Sequence, residues 1–253
     1  MTLIKRLVDV KPEELRALLW SFSYFFALLC SYYIVRPIRD EMGVAGGVEN
    51  LQWLFTGTFL VMLAAVPLFG WVTSRFGRRR FLPCVYLFFI ANLLIFFLLF
   101  QSNITHVYVA RAFFIWASVF NLFVVSVFWS FMADIFSNRQ ARRLFGFIAA
   151  GGTTGAIAGP MLTAGLAVPL GYTNLLLLSA LCLGWALLCI NRLIAWSERL
   201  TAYSNIDATG VPADIAMGGS LFAGVKLVLR SPYLLGICLL MLLFTTLATF
   251  LYF

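Results

Sequence analysis

Repeated apolar runs, each about 20 residues long, constrain this chain more than any other feature of its sequence. A helix of that length crosses the hydrocarbon core of a bilayer, where every backbone N–H and C=O group must be hydrogen-bonded within the protein. The sequence therefore predicts an all-α polytopic membrane protein. Six runs precede the first long polar segment, near residues 15–35, 51–73, 81–100, 107–133, 144–168 and 173–196.

The basic residues predict how these runs are oriented. Of the 18 Lys and Arg residues, 15 lie at the N-terminus or after runs two, four and six, and the other side holds only Arg36, Arg39 and Arg111. Lys and Arg near span ends are retained in the cytoplasm during insertion, so we expect a cytoplasmic N-terminus. The net charge of +8 follows from this clustering and gives no support for a nucleic-acid partner.

The same pattern divides the chain into four segments. Residues 1–14 form a cytoplasmic N-terminus, 15–196 a six-span bundle, 197–231 a polar cytoplasmic linker and 232–253 a seventh span. Within the linker, Ser220 is positioned to cap an amphipathic helix lying along the membrane surface. The last residues are still apolar, so we expect the seventh span to begin a second bundle, the C-terminal half of the same protein.

Catalytic and cofactor motifs are not found in the sequence. It has no Walker loop, no H-E-x-x-H, no G-x-S-x-G and no pair of carboxylates inside a run. The five cysteines lie in or beside apolar runs without C-x-x-C spacing and are interpreted as small hydrophobic residues. We expect no enzyme, no cofactor and no metal site, and the lack of acids within the runs argues against proton coupling.

The first candidate substrate residues are Tyr32, Arg36 and Arg39, spaced i, i+4 and i+7. They share one helical face if the helix continues past Pro37. Guanidinium groups offer a planar fork of donors to an anion, and Tyr32 could stack on a base or hold the fork. The alternative is that Pro37 ends the helix and both arginines pair with the acids that follow them at the interface.

A second candidate group lies on the fourth run. Arg111 falls about one turn into it, Ser118 and Trp129 lie near the same helical face, and Asn121 lies on its flank. This stripe predicts the wall of a water-filled cavity that binds an anionic solute. The alternative is that Arg111 extends its side chain to the membrane interface.

The fifth run carries a gating prediction. Gly151, Gly155 and Gly159 recur every four residues, so one side of the helix is nearly bare backbone and another helix can approach it closely. Close packing of this kind serves ordinary stability, and it also permits the sliding that alternating access needs. Pro160 is expected to bend the helix.

Another gating prediction concerns the basic connection between runs two and three. Its arginines set the topology, and they could also hold a cytoplasmic gate by pairing with Asp134 or with carbonyl groups at helix ends. The residues concerned are Arg75, Gly77, Arg78, Arg79 and Arg80.

These stretches resemble the major facilitator superfamily. The connection is similar to that superfamily's loop G-x-x-x-D-R-x-G-R-[RK], with Ser74 in place of the Asp, and Gly151 to Pro160 is similar to the glycine-proline motif of its fifth helix. The matching loop residues are Gly70, Arg75, Gly77, Arg78 and Arg79. The resemblance implies a secondary transporter that binds substrate between two six-helix bundles.

Three further stretches resemble the ATP:ADP antiporter family and its bacterial relatives. They are residues 33–44, residues 127–134 with 141–146, and residues 218–234. This resemblance implies a multi-pass carrier that is surrounded by the lipids of the bacterial inner membrane. Such a carrier exchanges one anion for another, and nucleotides are among its possible substrates. The characterised exchangers have an acidic residue early in the fourth helix, and this sequence has Ala117 at that position. The missing acid favours the alternative of a non-transporting scaffold that keeps the fold.

The topology can be tested with accessibility tags. Tags inserted after Gly77 and between Thr201 and Asp214 are expected to be labelled only from the cytoplasm, because arginine-rich turns are retained there. Labelling of both tags in intact cells by an impermeant reagent would contradict the orientation.

Overall fold

The computed structural model of the chain describes residues 14–47, 51–75, 78–102, 107–204 and 228–252. In these ranges the ordered elements are α-helices and no strand occurs, which confirms the all-α prediction. The helices are α1 (Leu15–Ala45), α2 (Leu51–Arg75), α3 (Arg78–Gln101), α4 (Val107–Ile135), α5 (Asn138–Leu170), α6 (Tyr172–Ser204) and α7 (Pro232–Tyr252). The amphipathic helix predicted after Ser220 lies outside these ranges, apart from its last residues.

Among the described residues, five helices are long and apolar enough to cross a membrane: α1, α3, α4, α5 and α6. Helices α2 and α7 each carry a shorter apolar stretch, Gln52–Leu68 in α2 and Pro232–Ala248 in α7. The prediction of a multi-pass membrane bundle is therefore confirmed.

Helix α1 continues well past the predicted end of its run at residue 35. Pro37 lies within the helix and is exposed, so its ring is accommodated on the outside of the bundle, while Ile38 immediately after it is 1% exposed and packs in the core. The helix ends in a turn where Gly46 N–H donates to Met42 O at 2.9 Å and Gly47 takes a φ of 98°. Tertiary packing outweighs the helix-breaking tendency of Pro37.

Helices α5 and α6 also exceed their predicted runs. Helix α5 begins at Asn138 because Ser137 and Gln140 form a reciprocal capping box, in which the Ser137 hydroxyl accepts from Gln140 N–H and Gln140 Oε1 accepts from Ser137 N–H. Helix α6 continues to Ser204, so the first residues of the predicted linker are helical. Hydropathy marks the membrane-crossing part of a helix and not its polar extensions.

Helix α1 lies at the centre of the bundle. It packs mainly against α4, α5 and α6 and also contacts α2 and α3, whereas α3 packs mainly against α4 and α6. The largest fully buried side chains of α1 include Leu18, Tyr24, Leu28 and Ile34. A helix buried on most sides needs apolar residues around its circumference, which matches the long apolar run that α1 carries.

Polar side chains join α1 to its neighbours inside this apolar core. The Tyr24 hydroxyl is hydrogen-bonded to that of Tyr86 on α3, and Ser31 Oγ lies 2.7 Å from Ser179 Oγ on α6. Outside the core, the exposed Trp185 of α6 donates from Nε1 to Ser23 Oγ at 2.8 Å. Hydrogen bonds between transmembrane helices each contribute roughly 0.6 to 2 kcal/mol, so these pairs fix the register of α1 against α3 and α6.

The glycine stripe of α5 packs directly on the backbone of α1. A Cβ added at Gly151 would lie 2.5 Å from Phe22 O, and one at Gly159 would lie 2.6 Å from Tyr33 Cβ. A Cβ at Gly155 would collide with Phe26 O. The close helix approach predicted from this stripe is thus present, and its partner is α1 between Phe22 and Tyr33.

Gly152 belongs to the same contact although the four-residue spacing does not include it. A Cβ at this position would collide with the ring of Phe25. That ring is also stacked on Phe128 of α4, with centroids 4.1 Å apart. Gly152 therefore leaves room for the Phe25 ring of α1, which in turn packs on Phe128 of α4.

The contact predicts a specific loss of stability. Gly155→Ala is expected to lower the free energy of unfolding by about 1–3 kcal/mol, because the added methyl group must displace the α1 backbone. Gly165→Ala in the same helix is the matched control, since no atom lies within 4 Å of its added Cβ. Chemical denaturation in detergent measures both variants, and equal stabilities would contradict the close contact.

Candidate functional site

The C-terminal part of α1 and the N-terminal part of α4 hold the arginines singled out by sequence. Arg39 lies on α1 and its side chain is 19% exposed. Its Nη2 and Nε atoms both donate to Asp40 Oδ1, at 2.6 and 3.0 Å. The guanidinium carbon also lies 5.4 Å from the centroid of the Phe114 ring on α4. Arg39 is therefore held between an adjacent carboxylate and an aromatic ring of another helix.

Arg111 binds the end of α1. Its Nε and Nη2 atoms donate to Gly46 O at 3.1 and 3.0 Å. A cation here is favourable because the last carbonyl groups of a helix carry partial negative charge and have no partner within the helix. Arg111 thus contacts the end of another helix, and its guanidinium carbon also lies 6.0 Å from the centroid of the exposed Tyr108 ring.

Aromatic rings form one side of this region. Phe114 lies one helical turn after Arg111, and Phe55 of α2 packs edge-on against it with ring centroids 5.6 Å apart. Gly57 of α2 faces Ile115 of α4. Helices α1, α2 and α4 therefore meet beside Arg39, with apolar surface behind the charge.

Arg36 lies towards α5 rather than α4. Its guanidinium carbon is 5.7 Å from the centroid of the Tyr33 ring, and Tyr33 is the residue that meets Gly159 of α5. In the described part of the chain Arg36 has this ring contact and no ion pair. It is half-buried, so its charge is only partly hydrated.

The predicted group is assembled in part. Because α1 continues past Pro37, Tyr32, Arg36 and Arg39 do lie on one continuous helix, but Tyr32 is buried and its ring meets Tyr33, so the ring under Arg36 is Tyr33. Asn121 is half-buried on α4, about three turns beyond Arg111. The structure brings Arg39 and Arg111 to one α1–α4 contact and leaves Asn121 deeper in the bundle.

Among the described residues, positive charge is in excess near the end of α1 and the start of α4. This part of the structure holds the guanidinium groups of Arg36, Arg39 and Arg111 and the carboxylates of Asp40 and the exposed Glu41. A partly buried region with an excess of guanidinium groups and aromatic rings favours an anion that presents several oxygen atoms. Among the described residues, no three His, Cys, Asp or Glu side chains cluster to hold a metal ion.

Sequence reasoning missed a polar contact at the opposite end of α1. Glu14 is 5% exposed and accepts from Gln140 Nε2 at 2.9 Å and from Arg143 Nη2 at 3.2 Å. Gln140 is the residue that also completes the cap of α5. This network fixes the start of α1 to the start of α5, and no local signal joins residues so far apart in the sequence.

The predicted arginine gate falls largely outside the description. Helix α2 ends at Arg75 and α3 begins at Arg78. Gly77 and the side chains of Arg75, Arg78 and Arg79 lie outside the described residues, so the gating role of this connection stays a prediction.

Comparison with known proteins gives one finding. A family model described as Major Facilitator Superfamily matches residues 17–253. No curated protein and no solved structure matches the chain.

The Arg111 contact predicts a local effect on α1. Arg111→Ala is expected to cost about 1–3 kcal/mol of stability, since it leaves Gly46 O without its charged donor. Hydrogen exchange of amides 42–47 should accelerate more than exchange elsewhere. Arg192→Ala, at an exposed position of α6, is the control and should leave these amides unchanged. Equal protection in both variants would contradict the capping role.

Proposed function

Since the chain belongs to the Major Facilitator Superfamily and is a secondary transporter, we propose that it moves an anionic solute, with Arg36 and Arg39 as the principal binding groups. The observation that carries the proposal is that Arg39, one helical turn from Arg36, lies beside the Phe114 ring where α1, α2 and α4 meet. Ionisable side chains in membrane-spanning helices are costly and are retained mainly for function. Phosphate-bearing solutes such as nucleotides suit this site, since guanidinium forks bind phosphate oxygens and aromatic rings can stack on a base.

Exchange of one anion for another is the mode that the charges favour. The described helices carry their acids near the ends, as with Asp40 and Glu41 on α1, Asp134 on α4 and Glu198 on α6. A proton-coupled carrier usually needs a carboxylate or histidine inside a span to carry the proton. At the proposed site the carboxylate of Asp40 is paired with Arg39, which suits counter-exchange of anions better than carriage of a proton.

The α1–α5 contact supports a role in the transport cycle. Backbones that touch along Gly151, Gly155 and Gly159 move as a pair, since neither helix can tilt away without losing the whole contact. Any displacement of α5 would then move α1 and its arginines. Helix α7, whose apolar side chains are exposed along its described length, supports packing against a second bundle that completes the site.

We propose a bacterial inner membrane as the location on the strength of the family resemblance, and the distribution of basic residues supports an N-terminus in the cytoplasm. Alternating access would then expose the arginines of α1 to the two sides in turn.

A second candidate function is a non-transporting membrane scaffold that keeps the transporter fold. The observation that favours it is that Arg39 and Arg111 both have intramolecular partners, Asp40 and Gly46. In a scaffold the Arg111 contact would only tie α4 to the end of α1, and the Arg39 pair would only neutralise charge within α1. Transport by the reconstituted protein discriminates between the two candidates.

Arg39→Ala in the full-length protein is expected to abolish exchange of labelled ATP or ADP in proteoliposomes, because the substrate loses a half-buried guanidinium donor. Insertion into the membrane should be unaffected. Arg192→Ala, which removes an exposed charge elsewhere, is the matched control and should retain exchange.

Two outcomes would count against the proposal. Unchanged exchange by Arg39→Ala would remove Arg39 from the site. Absence of counterflow by the unmodified protein with nucleotides, organic phosphates and carboxylates would favour the scaffold.

A further inference from the structure

We infer that Asp40 is a tethered competitor of the substrate: its carboxylate occupies the Arg39 guanidinium when no anion is bound and is displaced when one enters. This inference rests on the proposed anion site. It assigns a specificity-determining role to a residue that the binding prediction did not include.

The geometry of the pair favours displacement. Two nitrogens of the Arg39 guanidinium, Nε and Nη2, donate to a single oxygen, Asp40 Oδ1, at 3.0 and 2.6 Å. A fork-to-fork pair would use both carboxylate oxygens and would be stronger and more specific. The same edge of Arg39 is therefore available to an anion that offers two oxygens, which can make the bidentate contact that Asp40 does not make.

The position of the pair in the sequence gives it no structural role in α1. Adjacent residues of a helix point in different directions, so Arg39 reaches sideways to a neighbour instead of bridging turns as i, i+4 pairs do. The pair joins no second helix, in contrast to Arg111 with Gly46 or Arg143 with Glu14. Its loss would therefore leave the helix contacts of the bundle in place.

Burial makes the competition measurable. The side chain of Asp40 is 38% exposed and that of Arg39 is 19% exposed, so the carboxylate can turn towards water while the guanidinium stays beside Phe114. A carboxylate on the neighbouring residue is present at a high effective concentration. It would thus raise the apparent dissociation constant for any anion that needs Arg39.

The test is equilibrium binding of ATP to the purified full-length protein in detergent. Asp40→Asn is expected to tighten ATP binding about two- to six-fold, the range expected when a weak, partly exposed ion pair is removed. Asp40→Glu keeps a competing carboxylate and should bind ATP as the unmodified protein does. A gain in affinity cannot arise from misfolding, so the readout separates competition from a structural effect.

Glu41→Gln is the matched control. It removes the same charge from the next residue, which is exposed and, within the described residues, makes no ion pair. Because exposed charges are screened by salt, its affinity for ATP should remain close to that of the unmodified protein.

The outcomes separate this inference from the function on which it rests. ATP binding that Arg39→Ala weakens and Asp40→Asn leaves unchanged would overturn the competition and keep the anion site. Equal tightening by Asp40→Asn and Glu41→Gln would also overturn it, since net charge alone would then explain the effect. Absence of binding of ATP, of organic phosphates and of carboxylates in every variant would remove both.

Discussion

The contact between the glycine stripe of α5 and the backbone of α1 is the constraint on which the rest of the structure depends. A side chain at Gly151, Gly155 or Gly159 would collide with α1, so α5 can lie this close to α1 only because these residues are glycines. Apolar residues gain little by leaving lipid, and packing of this kind replaces the hydrophobic effect between membrane helices. Helix α1 is thereby placed at the centre of the bundle, where its polar residues meet α3 and α6.

The arginines of the α1–α4 region differ in what holds them. Arg111 binds Gly46 O across two helices, so its contact belongs to the framework. Arg39 donates to one oxygen of its neighbour Asp40 and lies beside the Phe114 ring, and Arg36 lies over Tyr33 without an acidic partner in the described residues. This difference is consistent with the proposed anion site, in which Arg111 would order the helix ends while the guanidinium groups of α1 change partners.

Much of the fold could be predicted because apolar runs of bilayer length permit few structures other than helices. The helix ends could not, since Pro37 inside α1 and the capping box before α5 depend on burial and on side-chain geometry that hydropathy does not record. For the site, residue type and spacing identified the arginines. The pairing of Arg39 with Asp40 was contained only in the alternative interpretation, and the Tyr33 ring beside Arg36 was not identified.

The sequence by itself determined the class of protein, the number of apolar runs and which residues carry positive charge into them, because these follow from composition along the chain. Only the tertiary structure decided that the glycines of α5 face α1, that Arg111 holds the end of α1 and that Glu14 meets Arg143. Each of these contacts joins residues far apart in the chain. Their pairing is set by how whole helices pack, and local sequence patterns carry no record of it.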